Sequence, residues 1–166
     1  MPILCTPDLR IVTLTLSPPA VPVISPAPTN APDSVGEATP GSHVLVVDDD
    51  PAICSAYDEI LRARGYEVAT AGSRADALAQ IDRLDGLVDV MIIDITLPDA
   101  DGADLAREIV DRIGLRPALY VSGWAEEFWN LSEAPGRWLV MQKPIPIPRL
   151  IAAVDWLAGR RPRPPG

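Results

Sequence analysis

Short apolar runs alternate along the chain with segments whose apolar positions recur at helical spacing. "HVLVV" (His43–Val47) is a short apolar run that ends in three aspartates. Pro51 suits the first turn of a helix. Ile53, Tyr57, Ile60 and Leu61 then recur at helical spacing, and Gly65 stops the helix. "YEVATA" reads as a second strand. Ser73 with Asp76 opens a second helix, with Ala77, Leu78, Ile81 and Leu84 facing inward. "VDVMIID" is a third strand. A helix follows from about Gly102 and carries Leu105, Ile109, Val110 and Ile113. "PALYVS" is a fourth strand. "AEEFWNLSEAPG" is weakly periodic and fits a short helix or a loop. "RWLVMQ" is a fifth strand, expected to be buried. Pro148 is expected to start a last helix with Leu150, Ile151, Val154 and Leu157 on one face.

Five short apolar strands alternating with amphipathic helices predict an α/β fold, a parallel sheet covered on both faces. Right-handed crossovers make it doubly wound, and in such sheets a site lies beyond the carboxyl ends of the strands. The predicted domain spans residues 42–159. Before it, residues 1–41 are rich in Pro, Ser, Thr and Ala and are expected to be a disordered arm. Within that arm "RIVTLTL" has the alternation of a strand that could join a sheet edge. Residues 160–166, "RRPRPPG", form a short basic tail.

Composition narrows the function. The 166 residues carry a formal net charge of −9, which disfavours binding to nucleic acid or anionic membranes through charge. Cys5 and Cys54 are too far apart in sequence to suggest a disulfide framework or metal-ligand spacing. With His43 as the single histidine, multi-histidine metal sites are excluded and a Ser-His-Asp triad is disfavoured. No apolar run reaches the ~18–20 residues of a membrane span, and no basic residue precedes Arg10 as in a secretory signal. A cytoplasmic protein is expected. Of the 14 basic residues, 13 are arginine and one, Lys143, is lysine.

The chemistry gathers at predicted strand ends. The first strand delivers Asp48, Asp49 and Asp50. The third delivers Asp94, the fourth Ser122 and Gly123, and the fifth Lys143. Three close carboxylates repel one another, and a hard divalent cation relieves that repulsion. Oxygen ligands alone favour Mg²⁺ or Mn²⁺ over zinc. A hydroxyl and an ammonium beside them suit a phosphate, which together makes a set for phosphoryl transfer. Each residue alone has a plainer reading. Three aspartates before a proline can be an N-cap with first-turn acids, and a strand-end serine or lysine is commonly structural. Their joint placement on one sheet edge favours a site.

At these residues the sequence resembles the receiver domain of bacterial two-component response regulators over about residues 43–159. "VLVVDDD" is similar to the family's acidic pair, "IIDITLPDADG" to its phosphoacceptor segment, "VSG" to its Ser/Thr position and "QKP" to its Lys-Pro. The resemblance implies a flavodoxin-like sheet of order 2-1-3-4-5. It implies phosphorylation of Asp94. Mg²⁺ would be held by Asp49 directly, Asp48 largely through water, Asp94, and the backbone carbonyl of Thr96. Lys143 and Ser122 would attend the phosphate, Gly123 would leave room for it, and the Lys143–Pro144 bond would be cis. The expected phosphodonor is a sensor histidine kinase or a histidine phosphotransfer protein. The output would go to an unidentified protein through the fourth-helix and fifth-strand face, as in a single-domain response regulator. No enzymatic turnover is expected beyond self-catalysed phosphorylation and dephosphorylation.

The sequence departs from the family pattern at Val140, where an aromatic switch residue often stands. Trp138, two residues earlier on the same side of the strand, is a candidate substitute. Trp124, Phe128 and Trp129 fit either core or a partner surface. Asp99 and Asp101 read as turn formers rather than ligands. Two rival readings follow. One is a receiver-fold binding module that works without phosphorylation. The other is a phosphatase-type enzyme using Asp94, which would need an acid where Thr96 stands.

Overall fold

The computed structural model describes residues 41–123 and 136–160. Most of the arm (1–40), most of the segment between the fourth and fifth strands, with Trp124, Phe128 and Trp129, and residues 161–166 lie outside the described residues.

Five strands, β1 (His43–Val47), β2 (Glu67–Ala71), β3 (Val90–Asp94), β4 (Ala118–Ser122) and β5 (Trp138–Gln142), form one sheet. Its order is β2-β1-β3-β4-β5, and every pairing is parallel. The described helices are α1 (Pro51–Arg62), α2 (Arg74–Arg83), α3 (Gly102–Ile113) and α4 (Ile147–Leu157). This is the expected doubly wound topology.

Helix starts follow local chemistry. The Asp50 carboxylate accepts from the Ala52 N–H at 2.8 Å, and Pro51, which lacks a donor, fills the first helical position. The Ser73 hydroxyl accepts from Asp76 N–H at 3.1 Å, and the Asp101 carboxylate accepts from Ala103 N–H at 2.7 Å. α4 begins at Ile147, one residue ahead of Pro148, with Pro146 at the cap position and no side-chain capping hydrogen bond.

Two apolar layers sandwich the sheet. α2 and α3 cover Leu45, Val47, Met91, Ile93 and Tyr120. α1 and α4 cover Val44, Val46, Ile92, Leu119 and Val121. Strands β3 and β4 are buried throughout, as central parallel strands must be.

Several sequence expectations shift. On α1 the deepest residues are Cys54 and Leu61, whereas Ile53, Tyr57 and Ile60 are half-buried at the flank. β5 is an edge strand: Trp138 is buried, but Leu139, Val140 and Met141 are half-exposed. With only one neighbouring strand, β5 receives less cover than a central strand. On α4, Ile151 is half-exposed and Asp155 is buried. That carboxylate is satisfied at the pole opposite the strand ends, by the Tyr66 hydroxyl at 2.7 Å and Arg64 at 3.0 Å. Among the described residues no helix is long and apolar enough to cross a membrane.

Candidate functional site

The strand register carries the predicted residues to one edge. Asp48 extends β1 by one position, its N–H donating to Ala71 O at 3.1 Å. Asp94 is the last residue of β3 and pairs with Val121 of β4. Ser122 ends β4 opposite Gln142, and Lys143 N–H donates to Ser122 O at 2.8 Å. Each group arrives there because its strand ends there.

Asp48 and Asp94 are 3% and 5% exposed, so their charges need partners. Lys143 serves both. Its ammonium donates to Asp94 Oδ2 at 2.6 Å and lies 2.7 Å from Asp48 Oδ2. The other oxygens are held by local backbone. Asp50 N–H donates to Asp48 Oδ1 at 3.0 Å, and Thr96 N–H donates to Asp94 Oδ1 at 3.0 Å. Asp49 stands exposed above them. One carboxylate oxygen from each of Asp48, Asp49 and Asp94 lies within 4.8 Å of the others.

The electrostatics follow. Burial pushes the Asp48 carboxyl above its ordinary range, while Lys143 and the Asp50 N–H oppose that rise. Burial alone would lower the Lys143 ammonium, but its hydrogen bonds to Asp48 and Asp94 outweigh this and raise it. Among the described residues, three carboxylates and one ammonium leave local negative charge, and the carboxylate ligand atoms are all oxygens. That donor set fits a hard divalent cation, with the exposed Asp49 on the solvent side.

Other predicted residues take distinct places. Ser122 is fully buried at the end of β4. A Cβ built on Gly123 would meet nothing within 4 Å among the described residues. The Lys143–Pro144 bond is cis. Thr96 forms an isolated antiparallel bridge with Asp101. Val140 pairs with Tyr120 across the sheet, so an aromatic residue stands beside it on the neighbouring strand. Trp138 lies edge-on to Tyr120, with centroids 6.3 Å apart, but opposite Ala118 at the far end of β5 from Lys143. His43 begins β1 at the opposite pole, with its N–H on Asp89.

Gly102 has a role that helix periodicity missed. A Cβ there would sit 2.1 Å from the carbonyl oxygen of Asp94, so α3 starts directly against the β3 end. Its signal was the glycine closing "DADG". Cys54 was likewise missed on the inward face of α1, where its thiol donates to Asp48 O at 3.2 Å. The acidic corner opens into a groove of about 780 Å³ between α1 and α2, bordered by Arg62, Gln80 and Arg83.

Comparisons with known proteins agree on one family. The sequence profile of the response regulator receiver domain matches residues 44–155. The sensor kinase CckA of Brucella abortus is 33% identical over 125 residues, covering 75% of this chain and 13% of that protein. The transcriptional regulatory protein TrcR of Mycobacterium tuberculosis is 33% identical over 79 residues, 48% of this chain and 30% of that one. The chain thus spans under a third of either relative. Among solved structures, a CheY-like receiver domain protein from Methanospirillum hungatei is 27% identical with a TM-score of 0.65, covering 71% of this chain and 94% of that one. The receiver domain of the hybrid histidine kinase CckA is 29% identical with a TM-score of 0.60, covering 70% of this chain and 99% of that one.

Proposed function

Because the chain belongs to the response regulator receiver domain family, we propose that it is a phosphoacceptor of a two-component phosphorelay, phosphorylated on Asp94. The observation that carries this reading is the meeting of Asp48, Asp49, Asp94 and Lys143 at one sheet edge. The donor is a phosphohistidine on a sensor kinase or phosphotransfer protein. A carboxylate oxygen of Asp94 attacks phosphorus, the P–N bond breaks, and its electron pair stays on the imidazole, which takes up a proton. Asp48, Asp49, Asp94 and the Thr96 carbonyl would hold Mg²⁺, which supplies charge neutralisation for the phosphoryl oxygens.

The chain's own groups do the rest. Lys143 already touches Asp94 and turns its ammonium toward the new phosphate. Ser122, two residues from Tyr120 on β4, offers a hydroxyl to it. Output goes to a protein partner in the cytoplasm, through a surface biased by this local change in charge. The role is acceptor rather than turnover enzyme, and Thr96 stands where a phosphatase of this type would need a second acid.

Acetyl phosphate with Mg²⁺ should label the wild type and leave Asp94→Asn unlabelled, with EDTA abolishing the signal. Absence of label from acetyl phosphate and from any cognate kinase would sink the reading. Val140 in place of an aromatic favours one rival, a receiver-fold binding module that acts without phosphorylation. That rival predicts partner binding unchanged in Asp94→Asn.

A further inference from the structure

The loop from β3 to α3 is a small hairpin. Leu97 N–H donates to Ala100 O at 3.3 Å, and Thr96 bridges Asp101, which leaves Pro98 and Asp99 at the tip. One foot of the hairpin is tied to the site, because Thr96 N–H holds Asp94 Oδ1. The other foot is tied to α3, where Asp101 caps the helix and Gly102 N–H donates to Ile95 O at 2.8 Å.

The tip reaches a different helix. Asp99 Oδ1 accepts from Arg74 N–H at 2.9 Å, and Oδ2 accepts from Ala75 N–H at 3.4 Å. These are first-turn donors of α2 that have no acceptor within the helix. Ser73 serves Asp76 N–H, so α2 is capped by one neighbour and by one residue from a distant loop. Beside them the Arg74 guanidinium joins α2 to Glu108 of α3 at 2.7 Å. The Arg74 N–H foremost holds the Asp99 carboxyl below the usual carboxylate range.

We propose that Asp99 is a lever that reports the state of Asp94 at the first turn of α2. The proposal rests on the phosphoacceptor reading above. Phosphorylation turns the Asp94 carboxylate into an acyl phosphate and removes charge from the carboxyl group that Thr96 N–H grips. A hydrogen bond to an ionised acceptor is roughly twice as strong as a neutral one, so that grip weakens. The hairpin from Thr96 to Asp101 is held by its own cross-strand contacts and is too short to absorb a displacement at its foot. The shift therefore passes to Asp99 and alters the capping of Arg74 and Ala75. α2 becomes a second surface that responds to the site, separate from the β4–β5 side where Val140 replaces an aromatic.

The test uses the full chain and amide exchange read by NMR, with and without beryllofluoride and Mg²⁺ as the phosphoryl mimic. In the wild type the amides of Arg74 and Ala75 should exchange about fivefold faster on adding the mimic, the scale of losing a helix cap. In Asp99→Ala they should exchange faster from the start and stop responding, while Thr96 and Lys143 still shift. Asp99→Asn keeps one acceptor oxygen and should restore part of the response. If Thr96 and Lys143 shift in the wild type but Arg74 and Ala75 do not, the lever is overturned and the phosphoacceptor reading stands. A full response in Asp99→Ala overturns the lever too. No shift at Thr96 or Lys143 in the wild type fells both.

Discussion

Replacing Lys143 by methionine keeps an apolar stem and deletes the one charge that Asp48 and Asp94 share. In the folded chain both carboxylates are within 2.7 Å of that ammonium and nearly closed to solvent. Once it is gone they face each other across no more than 4.8 Å, where unit charges repel by about 3.5 kcal/mol at an effective dielectric of about 20. Removing one partner of a buried pair generally costs about 3–5 kcal/mol, the same scale. Urea denaturation in metal-free buffer should show a loss of about 3 kcal/mol near neutral pH. The sign of the pH dependence is fixed. Burial already raises Asp48, and Lys143 opposes that rise, so the variant raises Asp48 further. A raised carboxyl binds its proton more tightly in the folded chain than in the unfolded one. The deficit is therefore full above the folded pKa of Asp48 and shrinks as acid protonates that carboxylate. The gap to wild type should therefore narrow as the pH is lowered from neutrality. Mg²⁺ should bind the variant about tenfold more tightly, since no ammonium competes for the carboxylates, a change of about 1.4 kcal/mol. A loss under about 1 kcal/mol with no pH dependence would refute the shared buried pairing.

Gly102→Ala places a methyl 2.1 Å from the Asp94 carbonyl oxygen. It should cost about 1–3 kcal/mol in thermal or urea unfolding and slow acetyl phosphate labelling by displacing the acceptor. Mg²⁺ at 100 times its Kd should stabilise the wild type by about 2.7 kcal/mol in calorimetry. Asp49→Asn should lose that gain while keeping its metal-free stability, because Asp49 is exposed. Tyr66→Phe removes the 2.7 Å bond to buried Asp155 and should cost about 1.5–3 kcal/mol. Burial first, then Asp155, hold the Tyr66 phenol well above its ordinary value. The folded chain thus keeps that proton longer, so stability falls as pH rises above about 10, and the variant should flatten this limb in alkaline unfolding curves.

Much of this protein is written in local pattern. Short apolar runs mark the strands and period-3.6 spacing the described helices, because burial acts on residues close together in the chain. Asp48, Asp94, Ser122 and Lys143 fall on one edge by their place at strand ends alone, since parallel strands must all end on the same side. Other features depend on residues far apart in sequence. Nothing near Asp155 announces that it will be buried against Tyr66, 89 positions earlier. Asp99 looks like a turn former until α2 is seen beneath it, 25 positions away. Gly102 looks like a helix start until Asp94 O stands where its side chain would be. β5 carries the apolar run of a covered strand, yet Leu139, Val140 and Met141 are half-exposed, because the edge place implied by the order 2-1-3-4-5 leaves it one neighbour. Hydrophobic spacing decides which elements form. Which polar groups are then enclosed, and which partner each must find, is decided only when the elements pack, because the cost of burying a charge depends on what the rest of the fold brings to it.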